Sequence, residues 1–193
     1  MRQVHGARIV RGSEIGAQGV AADGAWDRVE RLHGAYLAVR TADCVPILLA
    51  ARDGSFVAAI HAGWRGTAQR IVGHMVRVLD EQGCPPEALV AAAGPSIGAC
   101  CYPVSPDVAA TVADASGVAL ESIARCQPGQ VRLDLRAANR EQLLAAGVPE
   151  NSIHQAPWCT RCSADLFFSY RREGPAAGRQ VACIGWRPPG TLP

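Results

Sequence analysis

Two side chains able to ligate a metal, or to act together as nucleophile and base, are Cys44 and His61, and one predicted turn brings them together. Arg52-Asp53-Gly54-Ser55 reads as a hairpin turn, because Asp-Gly readily supplies the positive φ of a two-residue type I′ loop. The flanks, Val45 to Ala51 and Phe56 to Ile60, are apolar enough to be central strands. If Asp53 and Gly54 form the loop, Arg52 pairs with Ser55 and His61 stands opposite Pro46. Cys44, two residues before Pro46, then lies on the same face, diagonal to His61 at roughly 7–8 Å between backbones. A slip of one residue would turn the pair to opposite faces.

His5, in QVHG, is the candidate third member. Two imidazoles and a thiolate with an open fourth position form the pattern of a catalytic zinc, where a bound water can be activated. Such a donor set would also take Cu(2+). Without a metal, Cys44 and His61 could serve a cysteine hydrolase; without chemistry, they would be a small buried hydrophobe and a core histidine. Cys44 and His61 each end a strand where the chain turns, in DCVP and HAGWRG. Gly63 and Gly66 bracket Trp64 and Arg65, which suggests a tight loop aiming Arg65 toward the same end of the sheet. An arginine there suits an oxyanion such as phosphate. Arg40, at the end of the strand leading into this turn, and Ser96, in the loop GPSIGACCYP, are the candidate substrate contacts. His74 reads as a packed or solvated residue of a helix.

Composition narrows the remaining classes. The 193 residues suit a single domain, with 49% hydrophobic and 19% charged residues, a globular balance. The net charge is +2, and no basic run exceeds the pair Arg171-Arg172. General binding to nucleic acid is therefore not expected. No apolar run approaches the ~20 residues needed to span a bilayer. The first residues, MRQVHGARIV, lack the apolar core of an export signal, so the expected location is cytoplasmic. The eight cysteines are then expected as reduced thiols or ligands. Cys159-x-x-Cys162 alone has motif spacing and lacks the second spaced pair of a zinc ribbon.

The elements that must position these residues are legible in outline. Residues 3–10 look extended, a Gly-rich loop runs to about Gly24, and 35–40 reads as a strand. After Gly66, Thr67 is expected to cap a helix whose face is Ala68, Ile71, Val72, Met75, Val76 and Leu79, ending before Gly83 and Pro85-Pro86. Leu89 to Ala93 is a short buried strand. Ser105-Pro106 starts a helix over about 106–115, and a second capped helix runs from about Asp134 to Ala146. Short strands are expected near 152–156, 165–170 and 180–186. The irregular alternation, with a hairpin among the pairings, predicts an α+β fold: a mixed β-sheet sandwich flanked by helices in one domain. Neither GxGxxG nor GxxxxGK[ST] is present.

QVHG, TADCVP, HAGWRG and GPSIGACCYPV, followed by LDL, CT and FFSYRR, closely resemble the laccase-domain family, whose members are also called copper polyphenol oxidoreductases and purine nucleoside phosphorylases. The motifs keep the family's order from Gln3 to about Ile184. The resemblance implies a zinc held by His5, Cys44 and His61. It implies phosphorolysis of adenosine, inosine and methylthioadenosine to free base and ribose 1-phosphate, with some adenosine deamination, on a mixed αβ sandwich. Arg65 as a phosphate contact is an inference from its charge and position. Family members usually carry a further N-terminal segment before QVHG, so a shortened N-terminus and a loosely held His5 are expected here. Cys183-Ile184-Gly185-Trp186 replaces the family's mostly aliphatic ending. The other readings carried forward are a metal-free Cys-His hydrolase, a copper oxidase of phenols, and a metal- or nucleoside-binding protein without turnover. The oligomeric state is not expressed in any of these motifs.

Overall fold

The computed structural model describes residues 1–185, and residue 186 of the last expected strand lies outside them. In chain order the first half comprises strands β1 (Ile9–Arg11) and β2 (Gly24–Arg28), helix α1 (Val29–Leu32), strands β3 (Leu37–Thr41), β4 (Val45–Ala51) and β5 (Phe56–Ala62), helices α2 (Trp64–Ala68) and α3 (Ile71–Glu81), and strand β6 (Leu89–Ala93). The second half adds β7 (Pro103–Val104), α4 (Pro106–Ser116), α5 (Leu120–Ile123), β8 (Ala124–Gln127), β9 (Gln130–Leu133), α6 (Leu135–Ala145), β10 (Ile153–Gln155), α7 (Tyr170–Glu173) and β11 (Gln180–Ile184).

Six strands form a mixed sheet in the order β1-β2-β5-β4-β6-β10, parallel at its two outer pairs and antiparallel between. Strand β5 is buried at every residue, as expected of a central strand covered on both faces. On one face Ile47, Leu49, Ala58 and Ile60 pack with Ile71, Met75 and Leu79 of α3 and Leu143 of α6. On the other, Val57 and Ala59 pack with Leu37 and Val39 of β3, which pairs with β11 as a two-stranded ribbon. The alternation of residues along β5 therefore divides the core into two layers. The α+β sandwich expected from the sequence is the fold observed.

The β4–β5 hairpin forms in the predicted register, with His61 opposite Pro46. Its turn differs from the expected type I′ loop. Only Gly54 has a positive φ among the four turn residues, at 74°, and its N–H donates to the Ala51 carbonyl at 2.9 Å. The Asp53 carboxylate instead accepts from the backbone N–H of Ser55, a local bond that suits Asp in a non-primed turn.

Four further expectations are corrected. The helix after Gly66 is two helices, broken at Arg70, which has φ 58°. Thr67 is not a cap: it is buried within α2, with its hydroxyl accepting from Asn139 Nδ2 at 3.0 Å. The expected loop at Trp64 and Arg65 is the start of α2 rather than a loop. Residues 165–170 form no strand, because Phe167 N–H donates back to Ser163 and α7 begins at Tyr170. The caps of α4 and α6 do occur as read: Ser105 accepts from Val108 N–H, and Asp134 from Arg136 and Ala137 N–H. No helix among the described residues is long and apolar enough to cross a membrane.

Candidate active site

The end of β5 and the start of β4 carry His61 and Cys44 to one edge of the sheet, and His5 reaches the same point from the N-terminal segment. One ligand atom from each of the three residues lies within 4.8 Å of the others. The His5 and His61 rings meet edge to face, with centroids 4.8 Å apart. Gly63 leaves room for this approach. A Cβ there would stand 3.2 Å from both Cys44 Sγ and His5 Cδ2.

The organising group is Asp23, which the sequence reading missed. It is wholly buried just before β2, and its Oδ1 lies 2.8 Å from His61 Nδ1. The same carboxylate accepts the N–H groups of His5 at 2.9 Å, Gly6 at 2.7 Å and Val4 at 3.2 Å. Gln3 adds a reciprocal pair with β3: its amide donates to the Arg40 carbonyl and accepts from the Arg40 N–H, both at 2.8 Å. The expected looseness of His5 is thus not what the geometry shows. His5 has φ 59°, and these bonds hold the turn that contains it.

Electrostatics follow from these contacts. Burial raises the Asp23 pKa, but its bonds to His61 and to the amides of Gly6 and Val4 leave it below the usual carboxylate value. Burial likewise opposes ionisation of Cys44, yet the neighbouring His5 and His61 bring its thiol from 9.0 down to about 7. Burial disfavours the His61 cation, and the bonds to Asp23 and Cys44 overcome that, raising it from 6.5 to about 9. Without a metal, the pair is therefore predominantly a thiolate facing an imidazolium between about pH 7 and 9. With His61 Nδ1 occupied by Asp23, Nε2 is the nitrogen left for a metal, the tautomer that a carboxylate partner selects. Two imidazoles and one thiolate suit zinc or copper by donor chemistry.

Asp43, preceding Cys44, is held at φ 94°. Thr160 Oγ1 and Arg171 N–H each donate to its carboxylate at 2.7 Å. Such a conformation in a non-glycine residue needs surrounding support, which these two donors supply.

The cluster opens onto a cavity of about 620 Å³, within the size range of small-molecule sites. Arg2, Arg40, Arg65, Arg171 and Arg179 line it, and among the described residues none of their guanidinium groups has a carboxylate within 4.0 Å. Strand pairing explains part of the convergence: Thr41 of β3 is opposite Gln180 of β11, so Arg40 and Arg179 flank the same sheet end. The Arg65 guanidinium stacks on Trp64 at 4.5 Å, and that of Arg171 lies 4.9 Å from the Tyr102 ring centre. Trp64 and Tyr102 both face the cavity. Ser96 does not line it. Its side chain is buried, and its carbonyl accepts from Thr160 N–H. Arg171 and Tyr102 sat in the quoted stretches FFSYRR and GACCYP, but nothing in their spacing announced a role. Asp23 had no sequence signal at all beyond being an acid among small residues.

The profile of the family described as Multi-copper polyphenol oxidoreductase laccase matches residues 1–187. The chain is 42% identical over 198 residues to Purine nucleoside phosphorylase YlmD of Geobacillus stearothermophilus, covering 96% of this chain and 70% of that protein. It is 40% identical over 190 residues to Adenosine deaminase RL5 from an unknown prokaryotic organism, covering 95% and 72%. The crystal structure of Geobacillus stearothermophilus YlmD superposes with a TM-score of 0.81 at 38% identity, over 96% of this chain and 72% of that one. That of Bacillus licheniformis hypothetical protein YfiH gives 0.84 at 32% identity, with the same coverage.

Proposed function

This chain belongs to the Multi-copper polyphenol oxidoreductase laccase family, and we propose that it is a zinc-dependent purine nucleoside phosphorylase with adenosine deaminase activity, acting in the cytoplasm. Its substrates in this reading are adenosine, inosine and methylthioadenosine together with phosphate. The observation that carries the proposal is the juxtaposition of the His5, Cys44 and His61 donors with five carboxylate-free guanidinium groups around one cavity. The relatives named as phosphorylases and as a deaminase support the reaction class. All eight cysteines are free thiols, which suits a reducing compartment.

In phosphorolysis a phosphate oxygen forms a bond to the ribose C1′ while the glycosidic C–N bond breaks and the base leaves with its electron pair. Arg65, Arg40 and Arg171 are the groups suited to hold the phosphate, because guanidinium forks bind tetrahedral oxyanions through paired hydrogen bonds. Trp64 and Tyr102 offer aromatic walls for the nucleoside. Asp23 fixes the ring of His61 and the backbone of His5, and Asp43 fixes the entry to Cys44. A zinc ion held by His5, Cys44 and His61 with an open fourth position would supply Lewis acidity at the reacting centre.

A second reading is favoured by the thiolate–imidazolium state of Cys44 and His61, which suits a metal-free hydrolase with Cys44 as nucleophile. A copper oxidase of phenols is less well served, since the cluster offers donors for a single ion. The deciding experiment supplies purified, zinc-loaded protein with adenosine, with and without phosphate. Adenine and ribose 1-phosphate only with phosphate support phosphorolysis, and inosine without phosphate supports deamination. Hydrolysis that survives chelation but is lost in Cys44→Ala would replace both with the hydrolase. Saturable nucleoside binding without any product would leave a binding protein.

A further inference from the structure

Four cysteines from two distant loops form a second cluster that the proposed reaction does not use. Cys100 and Cys101 lie between β6 and β7, and Cys159 and Cys162 lie between β10 and α7. Their sulfurs all fall within 4.8 Å of one another. Cys162 Sγ is 3.6 Å from Cys100 Sγ and 3.4 Å from Cys101 Sγ. Bonded disulfide sulfurs stand about 2.05 Å apart, so these are thiols. Thiolates at roughly 2.3 Å from one zinc ion occupy tetrahedral corners about 3.8 Å apart. The sulfurs are thus already spaced for a single ion.

The surrounding backbone is built for the same purpose. Cys159 Sγ accepts from Gly98 N–H at 3.3 Å. Ser163 N–H donates to the Cys159 carbonyl at 2.9 Å, and this turn brings Cys162 back toward Cys159. Guanidinium groups gather on the two loops. Arg132 donates to the Cys100 carbonyl at 2.7 Å, Arg136 to that of Trp158 at 3.2 Å, and Arg172 to that of Thr160 at 2.9 Å. Four thiolates around one divalent cation carry net negative charge, which these cations offset.

We infer that Cys100, Cys101, Cys159 and Cys162 bind one zinc ion as a structural site separate from the His5–Cys44–His61 centre. The Cys159-x-x-Cys162 motif lacks a second spaced pair in the sequence, and the adjacent Cys100-Cys101 supplies it in space. Both loops that the ion joins also build the active-site cavity. One contributes Ile97 and Tyr102, and the other leads into α7, whose Tyr170 and Arg171 line the cavity. Thr160, between the two ligands of the second loop, holds Asp43 beside Cys44. The ion therefore clamps one wall of the cavity and the support for Cys44.

The test measures metal per chain in protein purified under reductant from zinc-containing medium, on a Cys44→Ala background that removes the other ligand set. One zinc per chain is expected in Cys44→Ala, and none in Cys44→Ala/Cys162→Ser or Cys44→Ala/Cys100→Ser. Cys100 and Cys162 are both exposed, so each change is compatible with folding, which circular dichroism checks. Cobalt replacing the zinc should give intense thiolate-to-metal absorption that weakens on loss of either cysteine. A Cys44→Ala protein without zinc, or zinc retained unchanged in both double variants, overturns the inference. So does a non-reducing mass that shows a disulfide from Cys162 to Cys100 or Cys101 in metal-free protein. Because the readout is metal content and absorption, it is independent of whether nucleosides are turned over.

Discussion

Asp23 grips His61 twice: its carboxylate oxygen lies 2.8 Å from His61 Nδ1, and its backbone carbonyl accepts the His61 N–H at 2.7 Å. The remaining lone pairs of that carboxylate are taken by the amides of residues 4–6, so one buried acid sets both histidines of the candidate centre. Strand β2 and the N-terminal segment meet at the site through this group.

Asp23→Asn should lower metal affinity by roughly 10–100-fold, the usual effect of removing the hydrogen-bond partner of a ligating histidine. An amide can accept on only one side, so some amides of residues 4–6 lose their partner, and the variant should also be less stable. Competition with a chromophoric chelator, beside a urea titration, separates the two effects. Unchanged metal affinity would show that the Asp23 contact does not tune the ligand.

In the metal-free protein, Cys44 should be alkylated with half-maximal rate near pH 7, against 9.0 for an ordinary thiol. His61→Ala should move that midpoint upward. The stability signs run in opposite directions. The His61 contribution is fully present below 6.5 and is lost as pH rises through about 9. That of Cys44 is fully present above 9.0 and is lost as pH falls through about 7. Between pH 7 and 9 the two trends offset, so the urea stability of the metal-free chain should change little there, whereas Cys44→Ala, which keeps only the His61 contribution, should lose stability as pH rises.

Gly63→Ala should separate the site from the fold. The backbone there has φ −79° and ψ 172°, which alanine adopts freely. The unfolded-state gain from Gly→Ala is about 0.4–1 kcal/mol. The added Cβ crowds Cys44 Sγ and His5 Cδ2 at 3.2 Å, so the ligands must give way by a few tenths of an ångström. Thermal stability should hold or rise slightly while metal occupancy and turnover fall. An unaltered metal affinity would mean that His5 moves aside at no cost.

Arg65→Ala and Arg40→Ala should each raise the phosphate KM about tenfold, the equivalent of roughly 1.4 kcal/mol. The nucleoside KM should change less. The backbone groups of Arg40 remain available to Gln3, so its substitution tests the side chain alone. Arg65→Ala also removes the cation from Trp64, and Arg65→Lys distinguishes charge from stacking. Equal effects on both substrates would point to a general role in shaping the cavity.

Much of the scaffold was readable because its signals are local. Asp53-Gly54 and the apolar flanks gave the hairpin register that carries His61 beside Cys44, even though the turn itself is of another type. Ser105-Pro106 and Asp134 marked helix starts through bonds that close within three residues. Thr67 misled because its hydroxyl, suited to a cap, is turned into the core toward Asn139. The strand expected near 165–170 does not form, because the backbone there turns back on Ser163.

The sequence by itself determined the ligand types, the hairpin that pairs two of them, and the family motifs that add His5. Only the tertiary structure decided that Asp23 holds His5 and His61, and that Arg40, Arg65, Arg171 and Arg179 share one cavity. It alone decided, too, that Cys100-Cys101 meets Cys159 and Cys162 some 60 residues away. Turns and caps close over a few residues, so their chemistry is written in neighbouring letters. A buried carboxylate, a cluster of guanidinium groups and a four-sulfur site depend on which distant loops the packed sheet brings to the same end.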